Sequence, residues 1–372
     1  MRVFLGAHNI ISPLAFNSKE NFERISKGES AVSKREFPFS QEGFFCSKID
    51  DKILNESFSK LGKATDYTRL ERMAILSIAD VLKQSGVDLS KKESLLIFST
   101  TKGNIDVLEN AYPSFDKKRA YLAETAERIG NFFHCAITPL VLSNACISGL
   151  LAMIIAKRYI ESGAYKNIMV CGSDIISEFT TSGFKSFNAI SPSRCRPFDA
   201  KRNGINLGEA AATILLSSEP ISNLIITSGA SANDANHISG PSRTGDGLFQ
   251  ALQQTLKGDS SVDFISAHGT ATEYNDEMES VAFDRAGLND VPLHSLKAYY
   301  GHTLGAAGIL ESIISLISLQ ENKLIASLGY EEQGTSKKIN VIEETQDKPL
   351  QRILKTASGF GGCNAAAIFE KI

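Results

Sequence analysis

A short segment around Cys146 constrains the fold of this chain more than any other feature. The apolar run TPLVLS at 138–143 has the length of a buried strand, and ISGLLAMIIAKRYIESG, which ends at Gly163, has apolar residues at helical spacing. A turn of small residues joins the two runs and carries Cys146. The sequence therefore predicts a strand, a sharp turn and a helix, with a cysteine at the turn.

The position of Cys146 favours a nucleophile. A thiol at the start of a helix faces free backbone amides and the positive end of the helix dipole, which both stabilise the thiolate. A strand, a tight turn, a nucleophile and a helix also form the elbow of many hydrolases. The alternative is a cysteine that packs in the core as a small apolar residue, the commoner fate of a free cysteine. This segment by itself leaves both interpretations open.

The composition favours a globular protein with a sizeable core. Of the 372 residues, 42% are hydrophobic and 22% are charged, and the formal net charge is −3. These values fit one large or two medium domains and give no reason to expect a nucleic-acid partner. We expect no membrane span, because no apolar run reaches about 18 residues, and no signal peptide. The six cysteines show no C-x-x-C spacing, which predicts reduced thiols and a cytoplasmic location.

Strands alternate with helices along the chain, as is typical of an α/β protein. The clearest helix is predicted over 69–86, and a further helix over 106–112, whereas 30–60 is expected to be an irregular loop packed on the core. The segment LKAYYGHTLGAAGILESIISLISL around His302 has the same order of strand, small-residue turn and glycine-rich helix start as the segment around Cys146. This similarity indicates a duplicated domain.

Two histidines follow predicted strands and lie among small residues. His268 is part of AHGTAT, and His302 follows KAYYG. A lone histidine at a strand end is more often structural, but two such sites and a nucleophilic cysteine together indicate catalysis. A metal site is the rival interpretation, and we expect none because the usual closely spaced ligand pair is missing. The remaining histidines are expected to be structural: His8, His134, His237 and His294.

Five motifs resemble, in the right order, those of the elongating β-ketoacyl-acyl carrier protein synthases of the thiolase superfamily. They are ACISG at 145–149, RPFDAKRNGINLGE at 196–209, AHGTAT at 267–272, KAYYGHTLGAAGILE at 297–311 and GFGGCNAA at 359–366. Two histidines and a preceding lysine separate this group from the initiating synthases, which have asparagine in place of one histidine. Thiolases use a second cysteine near the C-terminus, but Cys363 follows the glycine turn, and we interpret it as a variable position.

The resemblance implies an α/β thiolase fold, in which duplicated halves form a five-layer α-β-α-β-α sandwich. The first half, 1–220, would carry the cysteine, and the second half, 221–372, the two histidines. A homodimer is implied, with a heterodimer of related synthase subunits as the alternative, and the expected partner is an acyl carrier protein. No cofactor is implied, because the substrates are carried on the phosphopantetheine arm of the carrier protein.

The resemblance also implies roles for the site residues. Cys146 would accept an acyl group, and an enolate formed by decarboxylation of malonyl-carrier protein would attack it. The amides of Cys146 and Phe360 would form an oxyanion hole, with the Phe360 ring as a gate, and His268 and His302 would stabilise the enolate as neutral imidazoles. Supporting roles fall to Lys297 with its partner Glu311, to the acidic pair Asp276 and Glu279, and to the pantetheine-binding hydroxyls of Thr270 and Thr272.

Departures from the family pattern suggest a specialised synthase. GEAAA at 208–212 replaces the usual GEGAG, Asn275 replaces a glycine, and Lys102 lies in a stretch that is usually rich in glycine. Fatty-acid, polyene and polyketide-type elongation remain open, and the departures favour the specialised pathways. Two other functions were weighed: a silent chain-length partner in a heterodimer, and an acyltransferase of coenzyme A esters. The intact cysteine, lysine and histidines disfavour both.

Three basic clusters are candidates for docking the acidic carrier protein. They are Arg69 with Arg72, the tract 117–119, and Lys201 with Arg202. Ordinary solvated charge is the alternative for each of them.

Overall fold

A computed structural model of the chain describes residues 1–109 and 111–372. The helices of this part are α1 (Ser18–Ser26), α2 (Asp51–Phe58), α3 (Arg69–Ser85), α4 (Leu122–Phe132), α5 (Ser148–Glu161), α6 (Glu178–Ser186), α7 (Asp246–Leu256), α8 (Glu273–Arg285), α9 (Lys297–Tyr300) and α10 (Ala307–Glu321). Single 3₁₀ turns lie at Ala64–Asp66, Ile105–Val107, Lys117–Ala120 and Leu304–Ala306.

The strands of the described residues follow the same chain order. They are β1 (Phe4–Ile11), β2 (Ser33–Phe37), β3 (Ser40–Ser47), β4 (Ser94–Ser99), β5 (Leu140–Leu142), β6 (Asn167–Asp174), β7 (Leu207–Gly208), β8 (Ala210–Ser217), β9 (Leu224–Asn233), β10 (Phe264–Ser266), β11 (Pro292–His294), β12 (Lys323–Leu324), β13 (Asn340–Val341), β14 (Gln346–Asp347), β15 (Arg352–Gly359) and β16 (Cys363–Lys371).

The two halves of the chain build the same arrangement of strands. The first half has the order β1-β8-β6-β4-β5, and the second half has the order β9-β16-β15-β10-β11. In both halves the first two pairings are antiparallel and the next two are parallel. The halves meet edge to edge where Phe4 pairs with Ile225. The predicted duplication is therefore confirmed. The boundary predicted after residue 220 lies between β8 and β9 and stays a prediction.

Five layers follow from how the helices pack on these strands. Helices α5 and α10 pack on each other between the two halves, α3 covers the outer face of the first half, and α7 covers that of the second. Three apolar clusters fill the interfaces: one lies under α3, one lies under α7, and the third surrounds the central helices α5 and α10 on both sides. The five-layer order implied by the resemblance is confirmed.

Local signals explain where the helices begin and end. Helix α3 starts at a capping box, in which Thr68 and Glu71 bond to each other's backbone amides, and it stops at Gly86, whose φ is +68°. The helix predicted over 69–86 is therefore confirmed. Its buried face packs on β1, β6 and β8.

Two predicted segments differ from the structure. The range 30–60, expected to be an irregular loop, contains the hairpin β2–β3 and helix α2. The rings of Phe37 on β2 and Phe44 on β3 stack with centroids 4.9 Å apart. Such cross-strand aromatic pairs stabilise a short hairpin. The helix predicted over 106–112 is replaced by the single turn Ile105–Val107, and Asn110 lies outside the described residues.

One stretch, Leu304–Glu321, is long and apolar enough to cross a membrane, by length and composition alone. Glu311 interrupts this stretch, so it is not one continuous apolar run, and the expectation of no membrane span stays a prediction. In the structure 89% of the stretch is buried inside the protein, where it packs as α10 between the halves. Its apolar character therefore serves the core.

The close approach of α5 and α10 requires glycine. A Cβ at Gly149 would lie 2.8 Å from the carbonyl oxygen of Gly305, and one at Gly308 would clash with the backbone nitrogen of Leu150. Because α5 follows Cys146 and α10 follows His302, this contact sets how near the two residues lie.

Gly308→Ala should lower the free energy of unfolding by about 1–3 kcal/mol, because the added methyl group overpacks this contact. Urea denaturation measures the change. Gly183→Ala is the matched control: its Cβ meets nothing within 4 Å on helix α6, so alanine should be neutral or slightly stabilising. Equal unfolding midpoints for the two variants would show that the helices tolerate the methyl group.

Candidate active site

Cys146 lies at a strained elbow between β5 and α5. The preceding Ala145 has φ +44°, in the left-handed region that side chains other than glycine rarely adopt. The hydroxyl of Ser148 holds the turn, since it accepts a hydrogen bond from Asn144 N (2.8 Å) and donates one to Ala145 O (2.6 Å). The Cys146 side chain is only 8% exposed, and it lines a cavity of about 710 Å³.

The structure brings Cys146, His268 and His302 together. The cysteine sulfur and one nitrogen of each imidazole all lie within 4.8 Å of one another. The two rings meet edge to face, with centroids 5.2 Å apart. His268 follows β10 in the second half, whereas Cys146 comes from the first half, so the site forms only when the halves pack.

Both imidazoles are neutral and have unused nitrogen atoms. Burial holds the pKa of His268 and of His302 well below its usual range, and the positive charges of Lys297 and Lys355 lower it further. The amide of Leu304 donates to Nδ1 of His302 (3.3 Å), so the proton of this ring lies on Nε2. Within the described residues, Nε2 of His302 and Nδ1 of His268 are buried without a hydrogen-bond partner. A ligand in the site can therefore receive a hydrogen bond from His302.

Two buried lysines share one carboxylate behind the histidines. The Lys297 ammonium contacts the carboxylate of Glu311 and donates to the carbonyl oxygen of His268 (3.0 Å). The other oxygen of Glu311 lies 2.6 Å from Nζ of Lys355. Burial raises the pKa of Glu311, but Lys297 and Lys355 outweigh it and hold the pKa below its usual value. The sequence analysis predicted the first pair and missed Lys355, whose only signal is a lysine inside the apolar strand RILKTASG.

The acidic pair after the first histidine motif holds the backbone of that motif. Glu279 accepts hydrogen bonds from the amides of His268 (2.8 Å) and Gly269 (2.7 Å). Asp276 accepts one from the amide of Thr270 (2.9 Å). Burial and the neighbouring Asp276 raise the pKa of Glu279 to about 7. These contacts fix the loop from which the His268 ring projects.

The departures from the family pattern fit their surroundings. Asn275, in place of a glycine, donates from Nδ2 to Glu279 (2.9 Å) and Asp276 (3.2 Å). The alanines at 210–212 are fully buried in β8, between β1 and β6. Both substitutions keep the framework of the site.

The cavity mouth is lined by hydroxyl groups and aromatic rings. Thr270 and Thr272 line it, with their hydroxyl oxygens 2.8 Å apart. The ring of Phe360 is 37% exposed and packs against Phe184 and Phe187, each with a centroid distance of 5.4 Å.

Two further residues, Gly359 and His237, line the cavity. A Cβ at Gly359 would lie 2.9 Å from the amide nitrogen of Cys146, so the turn before Phe360 packs directly on the elbow. His237, which was predicted to be structural, also lines the cavity, and the next residue of its loop, Ile238, accepts a hydrogen bond from the amide of Gly361 (2.8 Å). The sequence around His237 gave no signal for this position.

The thiol of Cys146 differs from its predicted state. Burial raises its pKa to about 12, Cys363 adds to the shift, and Lys297 and Lys102 oppose it. The predicted shift toward the thiolate is therefore wrong for the resting site.

The arginines of two of the three basic clusters are buried. Arg69 forms an ion pair with Glu209 (2.7 Å), and the guanidinium of Arg119 contacts Glu71; Arg72 is also buried. The prediction that these arginines form a docking surface is wrong, because they serve as internal ion-pair and hydrogen-bond partners. The side chain of Lys201 is 72% exposed, and Arg202 lines the cavity. Exposed cations therefore remain at Lys201, Lys117 and Lys118, and Arg202 is half-buried.

Two family models match most of the chain. The beta-ketoacyl synthase N-terminal domain matches residues 7–220, and the beta-ketoacyl synthase C-terminal domain matches residues 223–331.

Known proteins resemble the chain over most or all of its length. A mitochondrial protein of Schizosaccharomyces pombe named as a 3-oxoacyl-acyl-carrier-protein synthase is 28% identical, over 100% of this chain and 99% of its own. The ketoacyl synthase alpha subunit of the tetracenomycin polyketide synthase of Streptomyces glaucescens is 25% identical, over 87% and 86%. The ketosynthase ApeO of Xenorhabdus doucetiae, solved in complex with its chain length factor ApeC, superposes with a TM-score of 0.87 at 24% identity, over 100% and 98%.

The rate of Cys146 alkylation by iodoacetamide should rise about tenfold per pH unit between pH 7 and pH 10. Below the raised pKa, each pH unit multiplies the thiolate fraction by about ten. Mass spectrometry of the Cys146 peptide measures the rate. Cys135, a half-buried thiol whose pKa burial raises to about 11, is an internal control with the same expected slope. A rate that levels off near neutral pH would show that the helix terminus outweighs burial.

Proposed function

The chain belongs to the β-ketoacyl synthase family, and we propose that Cys146, His268 and His302 carry out the chemistry of that family in it. The enzyme is an acyltransferase with the thiolase fold, a 3-oxoacyl-acyl-carrier-protein synthase. It condenses an acyl group with a malonyl unit and releases carbon dioxide. One observation carries the residue assignment: the sulfur and the two imidazoles lie within 4.8 Å of one another beside a single cavity.

Acyl transfer uses the elbow. The sulfur of Cys146 attacks the thioester carbonyl of the acyl-carrier protein, and the resulting oxyanion accepts hydrogen bonds from the amides of Cys146 and Phe360. When this intermediate collapses, the acyl group stays on Cys146, and the pantetheine thiol leaves with the proton that the cysteine has lost. The contact of Gly359 with the elbow supports this pair of amides.

Condensation uses the histidines. The carboxylate of the malonyl group leaves as carbon dioxide, and its bonding electrons form an enolate on the thioester oxygen. Nε2 of His302 donates to that oxygen, with His268 as the second donor. The enolate carbon then attacks the acyl-cysteine, the new carbon–carbon bond forms, and the thiolate of Cys146 is expelled. Its raised pKa returns it to the thiol with a proton from solvent.

Neutral imidazoles suit this step better than charged ones. An imidazolium ion would bind the malonyl carboxylate tightly and would protonate the enolate. Protonation would convert the malonyl group into an acetyl group, and no condensation would follow. A neutral imidazole still donates a hydrogen bond and is a much weaker acid. The lowered pKa values of both rings support this role.

The substrates arrive on an acyl carrier protein, whose phosphopantetheine arm would enter the cavity past Thr270 and Thr272. The exposed Lys201, next to the cavity-lining Arg202, is the best candidate to meet the acidic carrier protein at the cavity mouth. The ketosynthase of Xenorhabdus doucetiae works beside a chain length factor. A homodimer, or a heterodimer of this kind, is proposed for this chain.

The cysteines and the relatives support a compartment and a class of pathway for this chain. All six cysteines are free, which supports a cytoplasmic location. The relatives include both a carrier-protein synthase and a polyketide subunit. Chain elongation in a fatty-acid, polyene or polyketide-type pathway therefore fits, and no cofactor beyond the carrier's arm is proposed.

Variants of the three residues should separate the two half-reactions. Cys146→Ala should abolish acyl transfer, whereas Cys146→Gln should keep or raise malonyl decarboxylation, because its amide mimics the acylated cysteine. His302→Ala or His268→Ala in the Gln background should lower decarboxylation about 10²-fold or more, the effect of losing one donor to an oxyanion. Release of carbon dioxide from malonyl-carrier protein measures this step, and mass spectrometry of Cys146 measures acylation.

His294→Gln is the control, since His294 is buried and donates from Nδ1 to the carbonyl oxygen of Ile325 (2.9 Å). Decarboxylation should survive this change. If wild-type Cys146 is not acylated by any acyl-carrier thioester, the chain is better described as a silent structural partner that has kept its motifs.

A further inference from the structure

Lys355 is a buried charge for which the chemistry above has assigned no role. It lies on β15 and pairs in register with Ser266 of β10. Ser266 precedes His268 by two residues in the chain. The side chain of Lys355 is fully buried. Lysine is rarely buried without a partner, because the ammonium loses its hydration. The contacts of Lys355 therefore need an account.

The ammonium of Lys355 has three carbonyl acceptors and one carboxylate partner, and one of the carbonyl groups, that of Ser266, belongs to β10. It donates to the carbonyl oxygens of Ser266 (3.1 Å), Ala267 (3.4 Å) and Thr356 (2.7 Å). It also lies 2.6 Å from the carboxylate of Glu311. Lys355 therefore ties the end of the strand that carries His268 to the central helix α10.

Lys297 binds the same carboxylate from the other side. Its ammonium donates to the next carbonyl along the chain, that of His268, at 3.0 Å. Three successive carbonyl groups, from Ser266 to His268, thus face two lysines that share Glu311. The two lysines and one carboxylate leave a net positive charge behind the imidazoles.

The other charged and titratable groups around Lys355 come from several elements. Glu279 of α8 reaches β15 through the hydroxyl of Thr356 (3.3 Å). His294 of β11 is buried beside the cluster, and burial lowers its pKa to about 4. The groups facing Lys355 are thus Glu311, Lys297, Glu279, His294, His268 and His302.

We propose that Lys355 is a positioning residue: it ties the carbonyl groups that precede His268 to Glu311 of α10, and its positive charge adds to burial and to Lys297 in disfavouring protonation of His268 and His302. This role rests on the proposed function of the two histidines. In this proposal, a residue outside the five motifs contributes to the electrostatic field at the reacting atoms.

The physical argument is one of sign. A positive charge near an imidazole disfavours its protonation, so removing that charge raises the pKa of the imidazole. Two lysine charges and the single carboxylate of Glu311 sum to one net positive charge, which lowers the pKa of a nearby imidazole. One lysine with Glu311 would form a neutral pair. Lys297 alone would then orient the carbonyl of His268 but would no longer leave an excess of positive charge.

The test compares charge-removing and charge-keeping variants. Lys355→Met removes the charge at similar length, and Lys355→Gln removes it but keeps a donor for the β10 carbonyls. Lys355→Arg keeps the charge. Lys371→Met is the matched control, because Lys371 on β16 also contacts both a backbone and a side-chain oxygen, Leu319 O (2.9 Å) and Asn322 Oδ1 (3.0 Å), away from the site.

Histidine ¹³Cε1 NMR and the pH profile of malonyl decarboxylation are the two readouts. His268→Gln and His302→Gln assign the two signals. In both charge-removing variants the midpoints of His268 and His302, and the acid limb of the decarboxylation profile, should move to higher pH by about one unit. Lys355→Arg and Lys371→Met should keep the wild-type midpoints.

Unchanged histidine midpoints in a folded Lys355→Met or Lys355→Gln would overturn the proposal, even if activity fell. If neither variant folds, the wild type decides. Its two imidazoles should stay neutral at pH 6, where a free imidazole is mostly protonated, and an imidazolium signal there overturns the proposal. The NMR result does not depend on acylation of Cys146, so failure of this inference and failure of the synthase function are distinguishable.

Discussion

The exclusion of water from one small volume is the constraint on which this site depends. Charge is costly where water cannot solvate it, so each titratable group there is either neutral or paired. His268 and His302 are neutral, Cys146 is a thiol, and Glu311 is ionised only because two lysines surround it. The same burial therefore sets the hydrogen-bond donors for the enolate and the resting state of the nucleophile.

The fold produces this dry volume by duplication. Each half supplies a strand, a turn and a central helix, and the two helices approach so closely that glycine is required at Gly149 and Gly308. The cysteine precedes one helix and a histidine precedes the other. Packing of the two halves therefore brings groups from distant parts of the chain together, while the strained Ala145 keeps the sulfur turned to the cavity.

The sequence predicted what local patterns encode. The elbow of Cys146, the two histidine motifs and the duplicated order of strands all depend on residues close in the chain, and the structure contains each of them. The hairpin at 33–47 escaped prediction because its aromatic pairs form across strands and have no helical or alternating pattern. The roles of the site residues were implied by the resemblance to a family. The burial and the charge of each group could not be predicted from the motifs.

The errors share one physical cause. The thiol pKa of Cys146, the burial of Arg69 and Arg119, and the second lysine at Glu311 are all set by partners far away in sequence. A helix terminus or a basic tract indicates a local preference, but long-range packing decides whether water reaches the group. Lys355 is the clearest example, because no residue near it in the chain indicates that it pairs with Glu311.

The side-chain ¹⁵N spectrum of His302 at neutral pH tests the central claim most directly. A neutral ring that donates from Nε2 must show a protonated Nε2 and an unprotonated Nδ1, since Nδ1 accepts from the amide of Leu304. We expect this pattern in the free enzyme. A doubly protonated ring, or a neutral ring with the proton on Nδ1, would contradict the account of a dry site that holds the enolate by neutral donors.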